Sequence, residues 1–330
     1  MPFIRQSDYQ PPRWLPNGHL QTIYPSVFRK VEGVVYERER IDTNDGDFLD
    51  LDWSFSKYDF PKGPGKKKLP LVVLSHGLEG DTTRQYIIGM VKLFNSNGFD
   101  CLAWNFRSCS GEINKTLRFY HSGATDDLQT VLNVALSKGY EEIYLIGFSL
   151  GGNLTLKYLG ESGENLYPEI KKAIAFSVPL HLSSGSSKME GWEDWIYTTR
   201  FNRSLKKKIL EKARYYPDQI NTSNLSKVKT LRDFDNYYTS QLHGFKDAED
   251  YYAKNSSINF IENISVPTLI VNAQNDPFLS KKCYPFELTE RLENVHFFAP
   301  EEGGHCGFYQ SGYNGVLWSE MKALEWITRS

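Results

Sequence analysis

Short apolar runs without polar alternation recur along the chain, separated by segments of helical period. The clearest runs are Leu71–Leu74, Ile143–Ile146 and Thr268–Val271. Such a run is typical of a strand buried on both faces, as in a parallel sheet covered by helices. Because helical segments such as Arg84–Asn97 and Thr125–Lys138 lie between the runs, the sequence predicts parallel strands joined by right-handed crossovers.

Two further strand-like segments precede this alternation. Val34–Ile41 mixes β-branched and charged residues, and Phe48–Phe55 alternates apolar and polar side chains. Together they predict an antiparallel pair at one edge of the sheet. With the three runs above, and with the strand-like segments Phe99–Asn105, Ala173–Val178 and Val295–Phe298, they predict an α/β fold with a mostly parallel, eight-stranded sheet.

The strand–helix alternation stops near residue 179 and resumes near residue 267. The segment between is helical in period and dense in aromatic residues, so we interpret 180–266 as a helical cap inserted into a core of residues 31–179 and 267–330. Residues 1–30 are rich in proline and aromatic residues and show neither helical nor strand period. They are expected to form an ordered arm over the core.

The charge balance gives no reason to expect a highly charged partner. The 330 residues include 38 Lys and Arg against 40 Asp and Glu, a net charge of −2. A near-neutral chain favours neither nucleic acid nor an anionic membrane. No signal-peptide core is evident, and no apolar run reaches the about 20 residues that cross a bilayer. We therefore expect a cytoplasmic protein without a transmembrane segment, acting on a small molecule; peripheral membrane contact stays open.

The cysteines do not indicate a metal site. Cys101, Cys109, Cys283 and Cys306 are scattered, with no Cys-x-x-Cys spacing, so neither zinc binding nor a disulfide framework is indicated. The chain contains no Walker loop or nucleotide-binding fingerprint. We expect no cofactor and no metal.

One glycine motif carries the strongest chemical signal. The apolar run Ile143–Ile146 leads directly into the motif Gly147–Gly152, of the form G-x-S-x-G, and a helical segment follows. A strand–turn–helix of this kind presents a serine at a sharp turn, where glycine two residues away relieves crowding. The motif predicts that Ser149 is a nucleophile. The alternative is a glycine-rich turn with an incidental serine.

A serine nucleophile needs a base, and the chain supplies candidates in the order Ser, Asp, His. Asp276 follows the strand-like run Thr268–Val271, and His305 lies in a glycine loop after the last predicted strand. His305 is predicted to act as general base and acid, and Asp276 to orient it and stabilise its charge. Of seven histidines, His305 alone combines a late position, a glycine loop and a strand end.

Acyl transfer also requires donors for the developing oxyanion. The backbone N–H of Leu150, directly after the proposed nucleophile, is one candidate. The other is the N–H of Leu78, in the loop Ser75–Gly80 after the first buried strand. An ordinary glycine turn is the alternative reading of that loop.

These features together predict an α/β-hydrolase fold. Nearly the whole chain resembles the bacterial YheT-like hydrolases and the yeast medium-chain fatty acid ethyl ester synthases/esterases. The resemblance is carried by the segments Pro11–Thr22, Ser75–Gly80, Asn105–Glu112 and Arg118–Gly123. One departure is Ser108, where the family pattern has glycine.

The resemblance implies a triad of Ser149, Asp276 and His305 and esterase activity on short- or medium-chain acyl esters. Two alternatives stay open. One is an acyltransferase, or alcoholysis, in which the same acyl-enzyme passes its acyl group to an alcohol. The other is a non-catalytic binding protein on a hydrolase fold.

Overall fold

The computed structural model describes residues 3–4, 8–57 and 68–329. Within these ranges the chain forms one mixed sheet with the strand order β1-β9-β8-β7-β6-β4-β5-β3-β2. The strands are β1 Phe3–Ile4, β2 Glu37–Asp42, β3 Phe48–Ser54, β4 Leu71–Ser75, β5 Asp100–Asn105, β6 Ile143–Phe148, β7 Ile170–Phe176, β8 Thr268–Val271 and β9 Val295–Phe298.

The predicted mostly parallel, eight-stranded sheet of an α/β-hydrolase fold is confirmed. Strands β2 and β3 form the antiparallel pair at one edge, and β3 also pairs antiparallel with β5. The other pairings are parallel. The two-residue strand β1, which was not predicted, extends the opposite edge beside β9.

Eleven α-helices lie in the described ranges. They are α1 Gly18–Phe28, α2 Gln85–Ser96, α3 Thr125–Ser137, α4 Leu150–Ser162, α5 Leu182–Lys188, α6 Trp195–Lys212, α7 Leu231–Phe234, α8 Ser240–Leu242, α9 Ala248–Asn255, α10 Phe286–Thr289 and α11 Trp318–Thr328. None of these helices has both the length and the apolar character needed to cross a membrane.

Strand β4 shows why its sequence is continuously apolar. Successive side chains of a strand point to opposite faces of the sheet, and here both faces are covered. Leu71 and Val73 pack in a cluster with residues of α3 and α4, whereas Val72 and Leu74 pack in a second cluster with residues of α2 and α11. The two hydrophobic layers therefore hold the carboxyl ends of the parallel strands in fixed register.

Strand β3 is buried over its whole length although its sequence alternates. The carboxylates of Asp50 and Asp52 lie on the polar face, where the guanidinium groups of Arg40 and Arg38 bind them at 2.8 and 2.7 Å. The alternation thus marks one face packed on the core and a second face covered by ion pairs from β2.

The arm differs from our expectation of no regular period, because it contains α1. Asn17 caps this helix by accepting a hydrogen bond from the Leu20 N–H at 3.0 Å. The helix buries Gln21 and Thr22 and leaves Val27 and Phe28 exposed. Its buried face is polar and its exposed face carries large apolar residues, so its sequence lacks the usual hydrophobic period.

Five helices, α5 to α9, lie in the predicted cap segment, 180–266, for which we keep the name cap. A π-helical turn, Asp235–Thr239, joins α7 to α8. The cap boundaries themselves stay a prediction.

Candidate active site

Ser149 lies at the junction of β6 and α4. Its backbone has φ 52° and ψ −117°, in the left-handed half of conformational space that non-glycine residues rarely adopt. A Cβ atom at Gly147 would come within 2.6 Å of the Gly151 carbonyl oxygen, and one at Gly151 within 2.4 Å of the His76 carbonyl oxygen. The turn therefore requires glycine at both positions.

The structure brings the three predicted triad side chains together. The Nδ1 atom of His305 lies 2.8 and 3.1 Å from the two carboxylate oxygens of Asp276, and its Nε2 atom lies 2.9 Å from Ser149 Oγ. A carboxylate only accepts hydrogen bonds, so the proton of neutral His305 resides on Nδ1. Nε2 is then free to accept the hydroxyl proton of Ser149.

The surroundings of His305 set its basicity. Burial alone disfavours the charged imidazolium, but the negative charge and hydrogen bonds of Asp276, with a further contribution from the neighbouring Cys306 side chain, raise the pKa of His305. Asp276 is itself buried, and its Oδ1 also accepts a hydrogen bond from the Phe278 N–H at 2.9 Å. The carboxylate is thus held in place to stabilise an imidazolium.

A cavity of about 500 Å³ opens over these groups. Ser149 and His305 line it, as do Leu78 and Leu150, the two residues predicted to supply oxyanion donors. In the part of the chain that the structure describes, neither the Leu78 N–H nor the Leu150 N–H donates to another protein group. Both predicted donors therefore remain available beside the serine.

His76 holds the loop that carries Leu78. Its Nε2 atom accepts a hydrogen bond from the Phe106 N–H at 3.1 Å, and its Nδ1 atom lies 2.8 Å from the Gly77 carbonyl oxygen. Burial lowers the pKa of His76 to about 4. The imidazole is consequently neutral with its proton on Nδ1, and it supports the loop without taking part in charge transfer.

Glu79, next to Leu78, was missed by the sequence reasoning. Its carboxylate accepts hydrogen bonds from Tyr120 Oη and Lys208 Nζ, each at 2.7 Å, and from the hydroxyl of Ser204. Lys208 and Ser204 both belong to α6 of the cap. A buried carboxylate thus ties the loop of the proposed oxyanion donor to the cap.

The arm supports the triad loops, which was also not foreseen. Thr22 Oγ1 accepts a hydrogen bond from the His305 N–H at 2.8 Å. Gln21 Oε1 accepts from the Gly303 N–H at 2.8 Å and from Asn275 Nδ2 at 2.9 Å. The signal in the sequence was that Gln21 and Thr22 end the segment Pro11–Thr22, which carries part of the family resemblance.

The cap forms much of the cavity wall. Apolar side chains from α5 and α6 contribute to it, among them Leu182, Phe201 and Leu205. The wall also includes the acidic residue Asp235, whose carboxylate accepts hydrogen bonds at 2.6 Å from Thr239 Oγ1 and Tyr252 Oη. Burial raises the pKa of Asp235 to about 6.

Ser108 stands where the family pattern has glycine, and its contacts show how a serine is accommodated there. Its φ is 63°, a conformation that glycine adopts without strain. The Ser108 hydroxyl is hydrogen-bonded to Asn114, at 2.6 Å from its side-chain oxygen and 3.1 Å from its backbone N–H. These two buried bonds offset the unfavourable backbone conformation.

Cys306 lines the cavity beside His305, and its side chain interacts with the imidazole. Cys306 is buried, and its backbone N–H donates to Ser177 Oγ at 2.8 Å. Within the described residues, no three His, Cys, Asp or Glu side chains are placed to hold a metal ion together.

Known proteins share this architecture. A family model described as the alpha/beta hydrolase fold matches residues 70–311. YheT of Escherichia coli is 33% identical over 332 residues, covering 99% of this chain and 94% of that protein. The human phospholipase ABHD3 is 29% identical over 304 residues, covering 92% of this chain and 74% of that protein.

Among solved structures, Est1E of Butyrivibrio proteoclasticus with bound ferulic acid is similar at a TM-score of 0.52 and 16% identity, covering 87% of this chain and 97% of that one. At such low identity the likeness concerns the fold alone. The family model, however, covers most of the chain, and the bacterial relative is aligned along nearly all of it. The chain therefore belongs to the α/β-hydrolase fold family.

Proposed function

We propose that this protein is a serine hydrolase that cleaves carboxylic esters of short- or medium-chain acyl groups. The observation that carries the proposal is the hydrogen-bonded chain from Ser149 through His305 to Asp276, with separations of 2.9 and 2.8 Å, in which Ser149 and His305 line a cavity. Nucleophile and base within hydrogen-bond reach, with a third group orienting the base, is the arrangement that activates serine.

In the proposed reaction, Ser149 Oγ attacks the ester carbonyl carbon while His305 Nε2 takes the hydroxyl proton. The N–H groups of Leu78 and Leu150 donate to the oxyanion of the tetrahedral intermediate. As the carbon–oxygen bond to the alcohol breaks, His305 returns the proton to the departing alcohol. Water, activated by the same imidazole, then hydrolyses the acyl-enzyme and restores Ser149.

The cavity supports the choice of substrate class. Its volume of about 500 Å³ and its apolar wall suit an acyl chain of moderate length. The human relative is named a phospholipase, and phospholipases that act on acyl groups cleave a carboxylic ester. The bond proposed to be cleaved here is of the same kind.

The test uses a series of p-nitrophenyl esters of increasing chain length together with a fluorophosphonate probe. We expect hydrolysis and covalent labelling by the unmodified protein, and loss of both in Ser149→Ala. Ser162→Ala, at the other end of α4, is the matched control and should retain both. An unmodified protein inert to every ester and to the probe contradicts the proposal, as does an active Ser149→Ala protein.

The same assay distinguishes hydrolysis from acyl transfer. With ethanol or glycerol added, a hydrolase should give the free acid at a constant yield across alcohol concentrations. A new ester that replaces the acid as the alcohol concentration rises would assign the acyl-enzyme to transfer instead.

A further inference from the structure

The beginning of α6 and the turn before it expose large apolar side chains. Trp192 is 82% exposed, Trp195 61% and Ile196 56%. Single exposed apolar residues are common on protein surfaces, but contiguous apolar groups mark sites of interaction. Two tryptophans and an isoleucine within five positions form such a group.

A basic stripe continues from this apolar group along α6. Arg200, Arg203 and Lys207 are exposed and follow Ile196 at spacings of four, seven and eleven residues, which places all four on one helical face. Within the described ranges none of the three cations has an ion-pair partner, whereas Lys208 on another face is paired with Glu79. Glu193 is the exposed acid beside the tryptophans.

This stripe borders the mouth of the active-site cavity. Arg200 and Tyr197 line the cavity, so the exposed stripe begins at the cavity's edge. Tyr197 also contacts the arm, since its hydroxyl lies 3.3 Å from His19 Nδ1, and the neighbouring Leu20 is 41% exposed. Exposed apolar side chains of both α1 and α6 therefore lie at the entrance of the cavity.

We propose that this surface docks on an anionic phospholipid bilayer and so presents the cavity mouth to the membrane. We call it the rim surface and define it by Trp192, Trp195, Ile196, Arg200, Arg203 and Lys207. Tryptophan is favoured at the level of lipid headgroups, and a helix with apolar and basic side chains lies in the interfacial plane. The three cations outnumber Glu193 and complement anionic lipid.

A second copy of the chain is a poorer occupant. A two-fold dimer buries the same patch of both subunits. It would set the stripe of Arg200, Arg203 and Lys207 against its own equivalent, where like charges repel. An anionic lipid surface satisfies both the apolar and the basic parts of the rim surface.

The test measures binding of the Ser149→Ala protein to vesicles, so its outcome does not depend on the proposed reaction. Vesicles of equal parts phosphatidylcholine and phosphatidylglycerol are compared with vesicles of phosphatidylcholine alone by co-sedimentation. We expect binding to the anionic vesicles, weakened at least about tenfold by Arg203→Glu with Lys207→Glu. Trp192→Ala with Trp195→Ala should weaken it by a similar factor.

The matched control is Lys92→Glu with Lys171→Glu, which makes the same charge change away from the cavity mouth. Met321→Ala, 40% exposed on α11, is the apolar control. Both controls should bind as the parent does, and all variants should show the parental melting temperature. Absence of binding to anionic vesicles, or an equal loss in the controls, overturns the proposal. So does a dimer in sedimentation equilibrium that the double tryptophan variant dissociates.

Discussion

The arm and the cap contact the candidate active site in different ways. The arm contributes buried polar side chains, and Gln21 and Thr22 accept hydrogen bonds from the backbone of the loop that carries His305. The cap contributes much of the cavity wall and an exposed helix face, and Ser204 and Lys208 of α6 bind the core carboxylate of Glu79.

This difference suggests separate tasks. Hydrogen bonds to the backbone of a catalytic loop fix the position of the reacting atoms, and a small displacement there lowers kcat. In the proposed reaction, apolar wall residues act on substrate binding and on the choice of acyl chain. Arm variants should therefore change mainly kcat, and cap variants mainly KM and selectivity, with Glu79 as the point where the cap also acts on kcat.

Of the substitutions that test this comparison, Asp276→Asn should have the largest effect on kcat. We expect kcat to fall by about 10⁴-fold, because His305 loses the partner that fixes its tautomer and stabilises its charge. Activity requires neutral His305 and so rises with pH through its pKa. Because Asp276 raises that pKa, the substitution should move the rising limb of kcat/KM to lower pH. A limb that stays in place or moves to higher pH would contradict the assignment.

Thr22→Val tests the arm. The substitution keeps the shape of the side chain but leaves the His305 N–H without its acceptor, so kcat should fall by about tenfold. Steady-state kinetics with one p-nitrophenyl ester separates kcat from KM. Thr22→Ser retains the hydroxyl and should restore most of the rate. If the valine variant is as fast as the parent, the arm only covers the core.

Glu79→Gln tests the link between cap and core. Loss of the negative charge weakens the contact with Lys208, so the Leu78 N–H should be held less firmly and kcat should fall about fivefold. Lys208→Met removes the cap side of the same ion pair and should change kcat in the same direction. A change confined to KM in both variants would assign the link to substrate binding alone.

Phe201→Ala tests the cap wall and should have the smallest effect. Removing this ring from the cavity wall should lower the preference for an octanoyl over an acetyl ester by about threefold, measured as the ratio of kcat/KM values. Leu210→Ala on the same helix, 51% exposed and outside the cavity lining, is the control. An equal change in both variants would show that the ring does not act through the cavity.

Much of the fold followed from local pattern. Buried parallel strands need apolar side chains on both faces. The run Leu71–Leu74 was therefore enough to predict a strand that is covered on both faces. The turn at Ser149 likewise depends on steric demands within a few residues, which Gly147 and Gly151 satisfy. The order of Asp276 and His305 along the chain, each after a strand, was enough to predict that they would meet at the carboxyl edge of the sheet.

Other features could be decided only by the tertiary structure. Helix α1 buries Gln21 and Thr22 rather than its apolar residues, because their partners lie on loops more than 250 positions away in sequence. Glu79 and Lys208 are 129 positions apart, and neither flanking sequence indicates that they pair. The sequence by itself determined the strands other than β1, the turn and the three predicted triad residues, because those depend on local sterics and on hydrophobic period. Which polar groups support these elements was decided by long-range packing. A hydrogen bond between residues far apart in the chain leaves no periodic pattern in the sequence.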